Sequence, residues 1–255
     1  MQQRDEAFVL KTQPLGDADL IVTLLAKSHG CIRGVARYAR RSKRRFGASL
    51  QPMTHVEATW SEKQGRDLHR LEQVDGRRSF AAMQSEPLCQ AVCAVFAEVT
   101  ESFGREGEAD DREFRLLAAL LSALDEGASP QLCLRYFELW TLRIHGFAAD
   151  LRRCCYCDSP LPPGQPRRVG RQDGARCAAC QEQANDPGWA LSGSEVSLVE
   201  RIYRAKPESL KPLDPAARSG GTLERVLRGA LESFAEKKFR SYRHVHAYSS
   251  LEAPR

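Results

Sequence analysis

Residues 20–38 read LIVTLLAKSHGCIRGVARY, and the fold of the first third of the chain can be read from them. Leu20 to Ala26 is a β-branched and aliphatic run that stops at the turn residues Ser28-His29-Gly30. From Cys31 to Tyr38 the pattern alternates, with Ile32, Gly34 and Ala36 on one face and Arg33, Val35 and Arg37 on the other. A period of two with cations on one side marks a half-buried strand. Working outward, Phe8 to Thr12 precedes this pair of strands. His55 to Trp60 and Leu68 to Val74 follow it, joined by a polar connector around Gln64-Gly65-Arg66. Five short strands with turn signals between them, and no helix-length apolar period among them, predict a small β-barrel over residues 1–80.

After Phe80 the period changes from two to three and four. Leu88, Val92, Val95, Val99 and Phe103 share one helical face, with Pro87 suited to the first turn. A loop from Gly104 to Asp111 leads to a second helix bearing Phe114, Leu117, Leu120, Leu121 and Leu124. The third, Pro130 to His145, is apolar on nearly every side, which predicts a central helix. Ser192 with Glu195 three residues on fits a capping box opening a further helix, and Leu223 to Phe234 gives a final amphipathic one. The expected fold is α+β, with a five-stranded barrel in residues 1–80 and an α-helical domain in residues 81–255.

Nine cysteines in a chain that opens MQQRDE, without an apolar leader, read as reduced thiols or metal ligands in a cytoplasmic protein. Cys154, Cys157, Cys177 and Cys180 are spaced C-x2-C-x19-C-x2-C, which is zinc-site spacing. Four thiolates would complete a tetrahedron and leave no position for water, so the expected ion is one structural Zn2+ in an insertion at about 152–190. A redox dithiol is the competing reading, and Cys155 stands as a spare thiol that could replace Cys154. Cys31, Cys89, Cys93 and Cys133 lie in apolar patterns and read as core thiols.

The net charge is +5, but it is segregated: +6 in residues 1–80, −7 in 81–151 and +6 in 152–255. Its densest feature is Arg33, Arg37, Arg40, Arg41, Lys43, Arg44 and Arg45, seven cations in thirteen residues without an acid. Cations this crowded repel one another, so they belong on a solvated loop or against a polyanion. Tyr38 and Phe46 flank the run and are candidate stacking planes for unpaired bases. A nuclear localisation signal is a further reading of such a run. No nucleotide-binding P-loop, no Gly-rich dinucleotide fingerprint, no H-E-x-x-H and no G-x-S-x-G is present. Asp17 with Asp19 is a carboxylate pair in a turn, the weak basis of a nuclease reading. Nothing demands catalysis, and no stretch reaches the roughly 18 apolar residues of a membrane span.

The chain resembles the family of the bacterial DNA repair protein RecO. The resemblance rests on Phe8-Val9-Leu10 through Gly16-Asp17-Ala18-Asp19-Leu20-Ile21, and on Gly34-Val35-Ala36-Arg37 followed by ARRSKRRFGASLQP at residues 39–52. It continues through Leu134-Arg135-Tyr136-Phe137-Glu138-Leu139, His145-Gly146-Phe147 and the cysteines behind them. Tyr38 departs from a usual glycine and Met53 from a usual aromatic. The resemblance implies that the barrel is an OB-fold and that the protein is a recombination mediator. It further implies binding of single- and double-stranded DNA and annealing of complementary strands without ATP. The partners implied are RecR, the single-stranded DNA-binding protein SSB and, indirectly, RecA and RecF. An acidic SSB tail would need an arginine beside an apolar groove, and Arg135 is the candidate; a structural ion pair is its alternative role. The competing function is a zinc-ribbon and barrel RNA-binding or transcription-associated factor.

Overall fold

The computed structural model describes residues 1–41, 46–62, 68–80, 85–105, 107, 110–170, 174–210 and 215–250. Strands β1 (Gln2–Leu15), β2 (Asp19–Ala26), β3 (Gly30–Ala36), β4 (His55–Ser61) and β5 (His69–Arg78) close into a barrel in the order β1-β2-β3-β5-β4. Neighbours are antiparallel except β3 and β5, which run parallel with Gly34 opposite His69 and Val35 opposite Arg70. Gly34 is needed at that closure, because a Cβ there would lie 2.8 Å from Leu71 Cγ. Val9, Val22, Leu24, Ile32, Val56, Trp60, Leu71 and Val74 fill the interior. Each such side chain removed from water contributes about 1.5–3 kcal/mol.

The alternation read in β3 is present, with Ile32, Gly34 and Ala36 buried and Arg33 exposed. β1 is longer than its apolar core suggested. Its first half pairs with β4 from Gln2 to Phe8 and its second half with β2 out to Leu15. A bulge between Val9 and Lys11 bends it from one partner to the other.

The helices α1 (Pro87–Phe103), α2 (Asp111–Asp125) and α3 (Pro130–Ile144) follow. Pro87 opens α1, and Ser129 caps α3 by accepting the N–H of Leu132. The central helix is buried on nearly all sides, including Arg135 and Glu138. Then come β6 (Arg167–Val169), β7 (Ala175–Arg176), α4 (Ala178–Glu182) and β8 (Trp189–Leu191), the strands forming a small sheet in the order β7-β6-β8. The chain continues through α5 (Gly193–Ile202), α6 (Thr222–Phe234) and α7 (Tyr242–Ser249). The capping box at Ser192 and Glu195 forms in full.

The chain makes two compact units, Met1–Leu121 and Ser122–Arg255. The division falls later than the change of period at Phe80, because the first unit also holds α1 and most of α2. Within it the Phe114 ring packs 4.8 Å from that of Phe8 on β1. No helix among the described residues is long and apolar enough to cross a membrane.

Candidate nucleic-acid interface and metal centre

The parallel closure of the barrel brings the end of β3 beside the start of β5, and the β1–β2 turn lies across the same end. Together they line an open cleft of about 530 Å3, walled by Leu15 and Val35 and carrying Arg37, Tyr38, His69 and Arg70. In small barrels of this topology the β2–β3 face and the loops flanking it present the surface that takes oligonucleotides. Tyr38 is 60% exposed, so its ring is available to a base. Its backbone is left-handed at φ 57°, a conformation that favours glycine, and Asp19 Oδ1 accepts its N–H at 2.8 Å.

The cations of the basic run divide by role. Arg33 points outward from β3 and Arg37 follows the end of that strand; both are exposed. Arg40 is exposed but also braces the β1–β2 turn, donating Nη1–H to the Gly16 carbonyl at 3.1 Å and its backbone N–H to Ala18 O at 3.0 Å. Arg41 is exposed and closes a turn back to Tyr38 O. Lys43, Arg44 and Arg45 lie outside the described residues. Phe46 does not offer a stacking plane: it is 2% exposed, and its ring belongs to the barrel core. An aromatic beside a basic run reads as a stacking platform in sequence, but here it anchors the loop's return into the apolar interior. His69 and Arg70 were missed, because only the β3–β5 pairing places them in the cleft.

Arg135 also needs correction as the contact for a partner's tail. It is fully buried, with Nε 3.2 Å from Glu138 Oε2 and Nη2 3.4 Å from Glu224 Oε2. Tyr242 donates its hydroxyl to Glu138 Oε1 at 2.6 Å, and His246 bonds the other oxygen of Glu224. These groups tie α3 to α6 and α7. A cation buried without a counter-charge would be prohibitively costly; the charge of Arg135 is paired with Glu138 and Glu224, and the fully buried side chain reaches no ligand at the surface.

The four cysteines of the spacing motif converge. The sulfurs of Cys154, Cys157, Cys177 and Cys180 all lie within 4.8 Å of one another. Cys157 and Cys177 are 3.7 Å apart, close to the edge of about 3.8 Å in a tetrahedron of thiolates at about 2.3 Å from one ion. Cys154 and Cys157 sit on a turn whose Asp158 has φ 58° and returns its N–H to Cys154 O. Cys177 is the N-cap residue of α4, one turn before Cys180. Cys155 is outside the group; its backbone N–H pairs with Ala175 O instead. Burial opposes ionisation of Cys154, but the N–H groups of Cys157, Cys177 and Tyr156 bring its thiol down to about 6. Beside it, the thiols of Cys177 and Cys157 push Cys180 up to about 12. Four thiolates cannot crowd together without a cation between them, so this donor set fits a soft divalent ion. Among the described residues it is the one group of three or more metal-ligating side chains; Asp17 and Asp19 form none.

Comparison with known proteins agrees with this architecture. The family model described as recombination protein O N terminal matches residues 1–80, and the one described as recombination protein O C terminal matches residues 85–243. The DNA repair protein RecO of Koribacter versatilis is 34% identical over 241 residues, covering 93% of this chain and 96% of that protein. That of Anaeromyxobacter sp. (strain K) is 38% identical over 173 residues, 68% of each chain. That of Thermobifida fusca is 36% identical over 209 residues, 81% of this chain and 83% of the relative.

Proposed function

Because this chain belongs to the RecO family of DNA repair proteins, we propose that it is a DNA-binding recombination mediator in double-strand break and gap repair by the RecF pathway. In this reading it anneals complementary single strands and helps load RecA onto SSB-coated DNA, without ATP and without a catalytic residue. Residues 1–80 are the DNA-binding module. Residues 81–255 carry the metal and meet the protein partners, RecR and the SSB tail directly, RecA and RecF indirectly. The setting is the bacterial cytoplasm, at the nucleoid.

The observation that carries the reading is the barrel cleft, where an exposed Tyr38 stands among Arg37, His69 and Arg70. Arginines neutralise phosphates while the aromatic plane takes an unpaired base, the combination that holds single strands without reading their sequence. The exposed Arg33 and Arg41 add to this positive charge, and Lys43, Arg44 and Arg45 are assigned to DNA binding by their charge in the sequence alone. A strand held with its charge neutralised and its bases splayed meets its complement without the usual electrostatic repulsion.

For the SSB tail, the helical unit has an open apolar groove of about 650 Å3 among Leu139, Leu142, Phe147, Leu227, Ala230 and Phe234, with Lys238 at its edge. The rings of Phe147 and Phe234 stack there at 3.6 Å while both stay 40% or more exposed. Zn2+ in the cysteine site would supply a structural clamp, with the four cysteines joining the Cys154–Cys157 turn to the start of α4.

The test is anisotropy of a labelled single-stranded oligonucleotide with the full chain. Arg37→Ala, Tyr38→Ala and Arg70→Ala combined should weaken binding at least about tenfold, since each lost phosphate or base contact costs on the order of 1 kcal/mol or more. Unchanged affinity removes the cleft. A strong preference for RNA of the same sequence would instead favour an RNA-binding factor.

A further inference from the structure

The helical unit carries an exposed arginine set against two aromatic rings. Arg143, in the last turn of α3, is exposed, and its guanidinium lies 5.1 Å from the centre of the Trp140 ring and 5.0 Å from that of Tyr203. Trp140 in turn stacks on Tyr136 at 5.9 Å, and the Tyr136 hydroxyl is tied to Ala205 O at 3.3 Å. The row of rings is therefore fixed, and the arginine lies against it. Neighbouring Arg152 is neutralised by Asp150 at 3.0 Å, whereas no carboxylate lies within ion-pair distance of Arg143 or Arg204 among the described residues. Arg143, Arg204 and Tyr203 face one open cleft of about 370 Å3.

We propose that this cleft is a second strand-binding site, in which Arg143 and Arg204 grip the phosphates of a nucleic-acid strand beside Tyr203. A guanidinium set beside aromatic rings rather than a carboxylate keeps N–H donors free, in a planar fork that matches two phosphate oxygens. The ordering entropy of the side chain is already spent on the rings, so little is lost when the anion arrives. Asp150 and Glu200 also line the cleft. Asp150 is already paired with Arg152, and two guanidinium groups beside the Tyr203 ring offer contacts for both phosphates and bases, which favours nucleic acid as the occupant. The role of the site in annealing rests on the mediator reading: a protein that pairs two strands gains from holding both. Binding itself does not depend on that role.

The experiment measures how many short oligothymidine strands the full chain binds, and its annealing rate, in wild type and in Arg143→Gln with Arg204→Gln. Both side chains are exposed, so a matched melting curve checks folding, and Arg143→Lys asks whether charge without the planar fork suffices. The site predicts two strands per wild-type chain and one per double variant. It also predicts annealing slower by at least about tenfold, the loss of one charged bidentate contact, without rescue by lysine. A double variant that still binds two strands and anneals like wild type overturns the proposal. So does one that loses only binding of an acidic tail peptide, which would make the cleft a peptide site. A wild type that binds one strand, lost on mutating the barrel, overturns this site and spares the mediator reading; one that binds none sinks both.

Discussion

Asp19 accepts the backbone N–H of Tyr38 at 2.8 Å and so holds a tyrosine at φ 57°, in backbone that favours glycine. Asp19 is thereby engaged in positioning the aromatic at the barrel cleft rather than in cutting a strand. A left-handed non-glycine residue costs about 1–2 kcal/mol. Tyr38→Gly should therefore melt higher than Tyr38→Ala by an amount equivalent to about 1 kcal/mol, while both lose the stacking contribution to single-strand affinity. Paired thermal melts and anisotropy titrations read the two effects separately. Equal stability of the two variants would show that the position carries no strain.

Glu138 should give the helical unit a pH-dependent stability. Burial pushes its carboxyl from 4.5 up to about 7, against the pull of Arg135 and the Tyr242 hydroxyl. Between these values the folded state binds more protons than the unfolded one, so this group's contribution falls as pH rises through the window. Burial also opposes ionisation of Glu224, yet Arg135 and His246 hold it below the usual carboxylate range, so its contribution is lost at the acid end. Urea midpoints measured from pH 5 to 8 should fall toward pH 7 in wild type and stay flatter in Glu138→Gln. A variant with the wild-type slope would place the titration elsewhere.

Arg135→Ala leaves Glu138 and Glu224 buried beside an empty space. Removing one member of a buried ion network costs about 3–5 kcal/mol, so the variant should lose stability on that scale in chemical denaturation. At temperatures where it remains folded, its affinity for an SSB tail peptide should equal that of wild type, because the side chain reaches no surface. A large selective loss of tail binding would return Arg135 to the interface.

Metal content separates the five cysteines of the insertion. Cys155→Ser should keep one zinc per chain, whereas Cys154→Ser or Cys180→Ser should lose it, as read by elemental analysis of purified protein. Chelation should lower the melting temperature of wild type and leave the ligand variants unmoved, since binding energy at a structural site is also folding energy. Zinc retained by Cys154→Ser would assign its place to Cys155.

The barrel was legible because a period of two and turn residues are local signals: the alternation of Ile32, Gly34 and Ala36 with Arg33 and Arg37 appears as written. The cysteine quartet was legible for the same reason, since two C-x2-C pairs carry their geometry within four residues each. What escaped was set by distant partners. His69 and Arg70 enter the cleft only through the parallel pairing of β5 with β3. Phe46 and Arg135 carried the residue types of an interface, and only the core around Phe46 and the acids around Arg135 decide that both are internal. The short strands near the cysteine cluster and helix α7 lack the length for a clear period, so nothing in the residues announced them.

The most direct test of the mediator reading is annealing of complementary oligonucleotides, each coated with cognate SSB, without ATP, across a salt series. The account predicts acceleration by wild type that disappears in the Arg37→Ala, Tyr38→Ala, Arg70→Ala variant. If about five phosphates of a single strand are neutralised, log affinity should fall with log salt at a slope near −3 to −4. No acceleration by wild type, or a salt slope near zero, would contradict it.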